Sequence, residues 1–150
     1  MKNLFEAETV AEVKERMAGL RPDSERLWGK MAPAQALAHC CGAMEMAAGT
    51  KLLPRRFLGR IFGPVAKKSI LRDGKPFRPN SPSDKHLVVA DERDLIVERQ
   101  RLSGLIDRFA AAGPAGCTTH PHSFFGSLTP VEWAEFMYVH LDHHLRQFGV

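Results

Sequence analysis

Apolar residues in this chain recur at spacings of three and four, the period of an amphipathic helix, and no alternating stretch long enough for a strand competes with them. Val10, Val13, Met17 and Leu20 form the first stripe. Thr9-Val10-Ala11-Glu12 has the form of a capping box and Arg21-Pro22-Asp23 ends the pattern, so a first helix is expected from Thr9 onward. A second opens at Met31-Ala32-Pro33, with the proline suited to the first helical position, and runs to about Gly49 through an alanine-rich stretch. The third runs from about Asp91 to Ala112, where Leu95, Leu102, Leu105, Ile106 and Phe109 line one side and Gly113-Pro114 stops it. In the fourth, spanning 130 to 148, Thr129 is the N-cap, Pro130 takes the first position and Glu132 closes the box.

Between the second and third helices lie Pro54, Pro64, Pro76, Pro79 and Pro82, which predict a long crossover with one short helix at Arg55 to Phe62. The fold class is therefore all-α, a four-helix bundle with its long connection between helices two and three. At 150 residues and 44% hydrophobic content the chain is expected to make a single domain, 1–150.

Charge changes this picture in one place. The net +4 divides into +8 between Lys51 and Lys85, where ten Lys or Arg face only Asp73 and Asp84, and −4 elsewhere. Such a field either draws an anionic small molecule toward a nearby site or keeps a solvated crossover soluble. With only Phe57, Phe62 and Phe77 in the window, stacking aromatics are too sparse to favour a nucleic acid partner. No run is long and apolar enough for a membrane span, and Glu6 interrupts any secretory h-region, so a cytoplasmic protein with no membrane partner is expected. Cys40, Cys41 and Cys117 are odd in number and two are adjacent, which points to reduced thiols.

The candidate chemistry is in the last helix, within His140-Leu141-Asp142-His143-His144. At about 100° per residue, His144 falls roughly 40° from His140, on the face shared by Trp133, Phe136, Met137 and Gln147. Two imidazoles in an apolar seam need a partner, and a metal ion supplies one. Hydrogen bonding within the core is the alternative for this pair. For His143 and Arg146, cations complementing the helix C-terminus are explanation enough. His39 lies mid-helix on a small, apolar face with Gln35 and would complete a three-imidazole site. Three nitrogen ligands leave a coordination position open, as catalytic metals require. Around this site His143, Gln147 and Gln35 are candidate pocket residues. No general base is identifiable, so no catalytic residue is assigned: Glu45 and Asp142 point away, and Gln147 only orients or hydrogen-bonds a ligand. Cys117, His120 and His122 lack a second ligand pair and are read as ordinary loop residues.

Trp28-Gly29-Lys30-Met31, Gln35-Ala36-Leu37-Ala38-His39, Phe125-Gly126-Ser127-Leu128-Thr129 with Glu132-Trp133, and His140-Leu141-Asp142-His143-His144-Leu145-Arg146-Gln147-Phe148-Gly149 together resemble the DinB-like superfamily, closest to an uncharacterised branch of it. The resemblance spans essentially the whole chain. It implies a four-helix bundle that binds a divalent metal, zinc or nickel, through His39, His140 and His144, with His143 outside the principal ligand set. It further implies a small-molecule substrate, with a low-molecular-weight thiol as cosubstrate in an S-transferase or related reaction; hydrolysis is the other enzymatic outcome. A homodimer is compatible with this reading. A non-catalytic metal or small-molecule binding protein is the alternative from a different class.

Overall fold

The computed structural model describes residues 1–150. Its elements are α1 (Ala7–Ala18), α2 (Pro33–Ala47), α3 (Phe57–Lys67), α4 (Leu95–Ala112) and α5 (Pro130–Arg146), and it contains no strand. The chain is therefore all-α.

Helix α1 begins two residues before the expected Thr9, because Glu6 rather than Thr9 is its N-cap. Asn3 Nδ2 donates to Glu6 Oε1 at 2.8 Å and Thr9 Oγ1 donates to Glu6 Oε2 at 3.0 Å, so the threonine sits buried inside the first turn. Helix α4 starts later than expected, at Leu95: Asp94 caps it, its carboxylate accepting from Val97 N at 2.9 Å. The box at α5 forms as expected, with Glu132 N donating to Thr129 Oγ1 and Thr129 N to Glu132 Oε2.

Helices α1 and α2 each pack against both α4 and α5, which closes a ring in the order α1, α4, α2, α5 around Met17, Met44, Leu102, Ile106, Met137, Leu141 and Leu145. Burying each such side chain contributes about 1.5–3 kcal/mol. The exposed Lys14–Asp107 pair that crosses from α1 to α4 contributes about 0–1 kcal/mol, so the apolar seam and not the ion pair holds those helices together. In α2 nearly every side chain is buried and most are small, which lets α4, α5 and the Lys85–Leu87 turn approach it closely. A Cβ at Gly42 would lie 3.0 Å from Leu87 Cδ2. That tight contact sets the 85–87 turn over the middle of α2, beside His39.

The crossover holds more helix than its prolines suggest. Instead of ending at Phe62, α3 continues through Pro64 to Lys67 and widens into a π-helical turn over Lys68–Arg72. Glycine makes this possible. Cβ atoms built at Gly59 and Gly63 would stand 2.5 and 2.2 Å from the Phe124 carbonyl oxygen, so only glycines allow α3 to lie directly on the 122–127 loop. Arg56 N donates to Ser123 O at 2.8 Å, and Lys67 Nζ reaches Ser127 O and Glu132 Oε2, which pins both ends of the helix.

Candidate metal centre

His39 on α2 faces His140 and His144 on α5. The His39 and His140 Nε2 atoms are 3.0 Å apart, and ring centroids across the trio are separated by 4.7 to 4.9 Å. One ligand nitrogen from each ring fits within a 4.8 Å span. A tetrahedral zinc about 2.0–2.1 Å from each ligand would place two nitrogens about 3.3 Å apart, so the His39–His140 pair is already near bridging distance. The three histidines are thus close enough to hold one metal ion. His39 and His144 are buried, whereas His140 keeps a partly exposed edge.

Hydrogen bonds behind the rings fix which nitrogen is free. His39 Nδ1 is 2.8 Å from the Leu87 carbonyl, an acceptor only, so Nδ1 carries the proton and Nε2 presents its lone pair. The same holds for His144 by one further step. Gln147 Nε2 donates to the Trp28 carbonyl at 2.9 Å, which turns Oε1 toward His144; Oε1 can only accept, and His144 Nδ1 donates to it at 3.0 Å. Two lone pairs therefore converge on His140. His140 Nε2–H could answer only one of them, and its buried Nδ1 has no partner in the protein in either tautomer. A divalent ion would satisfy the converging Nε2 lone pairs together, and the donor set fits one on these grounds.

Burial keeps the rings in their ligating form. It lowers the pKa of His144 to about 3, with the nearby His39 adding to the effect and the Gln147 bond opposing it. His140 is held well below the usual imidazole range by burial first and by His144 and His39 next. His39 is lowered by burial, against the opposing Leu87 bond. All three are neutral at pH 7 with no metal present, so a cation need not displace their protons there.

The remaining sequence candidates lie around the trio or away from it. His143 is wedged between the Trp28 ring, 5.5 Å away between centroids, and the Phe77 ring at 5.7 Å, and contributes packing next to His144. Gln147 is buried and acts through His144 Nδ1. Gln35 is engaged at the start of α2, where Oε1 accepts from Ala32 N at 2.9 Å and Nε2 donates to the Asp91 carbonyl at 3.0 Å. It helps line an open cleft of about 490 Å³ between Pro22, Glu92, Arg93 and Leu95 that includes none of the three histidines. His120 pairs with the Leu53 carbonyl, His122 accepts from Phe124 N and Phe125 N, and Cys117 approaches the Pro130 carbonyl, so these three serve the loop separately. Cys40 and Cys41 are buried, and burial pushes both thiols up, Cys41 to about 12.

Three contributors carry no signal in residue type or spacing. The Leu87 and Trp28 carbonyls orient His39 and, through Gln147, His144. Phe77, from the basic crossover, lays its ring edge-on to His140, His143 and Phe136. A backbone acceptor leaves no mark in residue identity. Gly29 was the available signal: its φ is +78°, and a Cβ there would lie 2.5 Å from Gln147 Nε2. Removing the latch by Gln147→Leu frees the His144 ring, and metal affinity is expected to fall about 10- to 100-fold while all three ligands remain, as read by competition with a chromogenic chelator.

Neither curated proteins nor solved structures yield a match to this chain. One family does match, over residues 4–149, described as "Protein of unknown function (DUF1569)". Since that match takes in the three histidines, the latch and every helix, the chain belongs to the DUF1569 family.

Proposed function

We propose that this protein is a divalent-metal-binding, DinB-like four-helix bundle that works in the cytoplasm as a metal-dependent enzyme, with zinc or nickel held by His39, His140 and His144. The observation that carries this reading is the convergence of correctly oriented imidazole nitrogens behind a partly exposed His140. When bound, a divalent ion supplies Lewis acidity, which acidifies a thiol or water at neutral pH. The protein's own share is to hold neutral rings in fixed tautomers through Leu87 and Gln147, and to wall the site with Phe77 and Phe136 against bulk water. That wall is apolar and aromatic, which suits the body of a small molecule.

A small-molecule substrate with a low-molecular-weight thiol, in an S-transferase reaction, is the favoured activity; hydrolysis is the enzymatic alternative. A second reading, metal or small-molecule binding without turnover, is favoured by the carboxylates. Asp142 is committed to Arg16 and Arg146, and Glu45 to Arg101, so neither is free to act as a base at the trio. Elemental analysis of the purified protein together with a screen of thiol cosubstrates separates these readings. One equivalent of zinc or nickel with thiol-dependent turnover supports the enzyme; one equivalent with thiol binding but no turnover supports the second reading; no metal at any loading overturns the metal centre and leaves only small-molecule binding.

A further inference from the structure

Helix α3 presents three different faces. At about 100° per residue, Phe57, Ile61, Val65, Leu58 and Phe62 cover an arc of roughly 140°, Ala66, Gly59 and Gly63 take the next sector, and Lys67, Arg60 and Pro64 fill the remainder. The glycine sector is consumed by the 122–127 loop, where no side chain would fit. The apolar arc has no such partner: Phe57 is 74% exposed, Val65 72%, Phe62 58%, Ile61 54% and Leu58 53%. Single exposed apolar residues are ordinary, but five large ones in one contiguous arc mark a surface that meets something other than water.

Charge identifies what. From Arg55 to Arg72 there are six cations and no Asp or Glu. Only Lys67 has a carboxylate partner, Glu132; Arg60, Lys68 and Arg72 are exposed beside the apolar arc. A second copy of the chain packed on this face about a two-fold axis would set one stretch of six cations against another, since such an interface joins the same patch on both subunits. An anionic bilayer accepts both features together, apolar side chains at the headgroup–acyl boundary and cations on lipid phosphates.

We propose that α3 is a peripheral docking helix for an anionic lipid surface, with the Phe57–Ile61–Phe62–Val65 arc inserted and Arg60, Lys68 and Arg72 on the headgroups. No helix is long and apolar enough to cross a membrane, so the contact lies in the interface plane. The expectation of no membrane partner rested on the lack of a span, and this face is a separate feature. The proposal does not depend on the metal centre.

The test is co-sedimentation of the full chain with vesicles of phosphatidylcholine alone and of equal parts phosphatidylcholine and phosphatidylglycerol, at low and moderate salt. Binding to the mixed vesicles is expected to exceed binding to the neutral ones at least about tenfold and to weaken with salt. Ile61→Ser with Phe62→Ser, and separately Arg60→Glu with Lys68→Glu, should each reduce it about tenfold or more while circular dichroism keeps its helical signal; all four positions are exposed, so folding is not at stake. No binding to mixed vesicles, equal binding to both kinds, or binding unchanged in both double variants overturns the proposal. So does a wild-type dimer in light scattering that becomes monomeric on Ile61→Ser with Phe62→Ser, which would assign the face to a second copy.

Discussion

The His144→Ala protein is expected to leave purification with well below one equivalent of divalent metal, whereas His143→Ala keeps close to the wild-type amount. In the proposed centre His144 offers one of the three ligand nitrogens and is also the endpoint of the Trp28–Gln147–His144 chain, so its removal would delete a donor and leave the Gln147 oxygen without its partner. His39→Ala and His140→Ala should behave alike, since two imidazoles remain in each. Losing a ligand outright costs more than losing the group that orients it, so affinity should drop beyond about 100-fold in each case. His143→Ala removes a ring packed between Trp28 and Phe77 and no member of the trio. The comparison therefore separates coordination from packing. Elemental analysis after dialysis against a weak chelator gives the readout, with circular dichroism as the fold control. Full occupancy in the His144→Ala protein would exclude the three-histidine centre.

Much of this site was legible in the chain because helical periodicity acts over short range. Trp133, Phe136, Met137 and His144 lie on one buried face of α5 with Gln147 buried at its C-cap, as phase alone predicts, and His39 faces them from α2. The three histidines could be picked out as candidate ligands because their residue type is itself the chemistry, and the fold brings them together. What orients them could not: Leu87 and Trp28 act through carbonyl oxygens that every residue carries, and their contacts to His39 and Gln147 span 48 and 119 positions. The crossover misled for a related reason. The expected short helix ends at Phe62, yet Gly63 is needed for contact with Phe124, while Pro64 stands exposed and its missing N–H removes only one intrahelical bond. Long-range packing decided both cases, and a local pattern carries no record of it.

The metal-free protein should lose stability steeply as pH falls below about 6.5, the unperturbed imidazole value. His122 and His144 are both lowered to about 3, chiefly by burial. Asp84 opposes the shift at His122 while Arg55 adds to it; around His144, the rings of His39 and His143 add to it and Gln147 opposes it. The sign follows from which state takes the proton first. Between about 6.5 and the folded-state value the unfolded chain is protonated and the folded one is not, so the contribution is whole above about 6.5 and declines as pH falls toward about 3. At about 1.4 kcal/mol per pH unit, each of these two imidazoles costs on the order of 2 kcal/mol by pH 5. His140 and His39, lowered in the same direction, add to the loss. Protonating His122 has a further structural consequence. Its Nδ1 accepts from Phe124 N and Phe125 N, and those bonds hold the loop on which Gly59 and Gly63 seat α3, so the acid transition should begin with α3 leaving that loop. Urea unfolding at pH 7, 6 and 5 measures the slope, and a His122→Asn variant should flatten it by about one proton. A midpoint that stays constant across that range would show that these rings take up protons equally in the folded and unfolded chain, and would overturn the shifts.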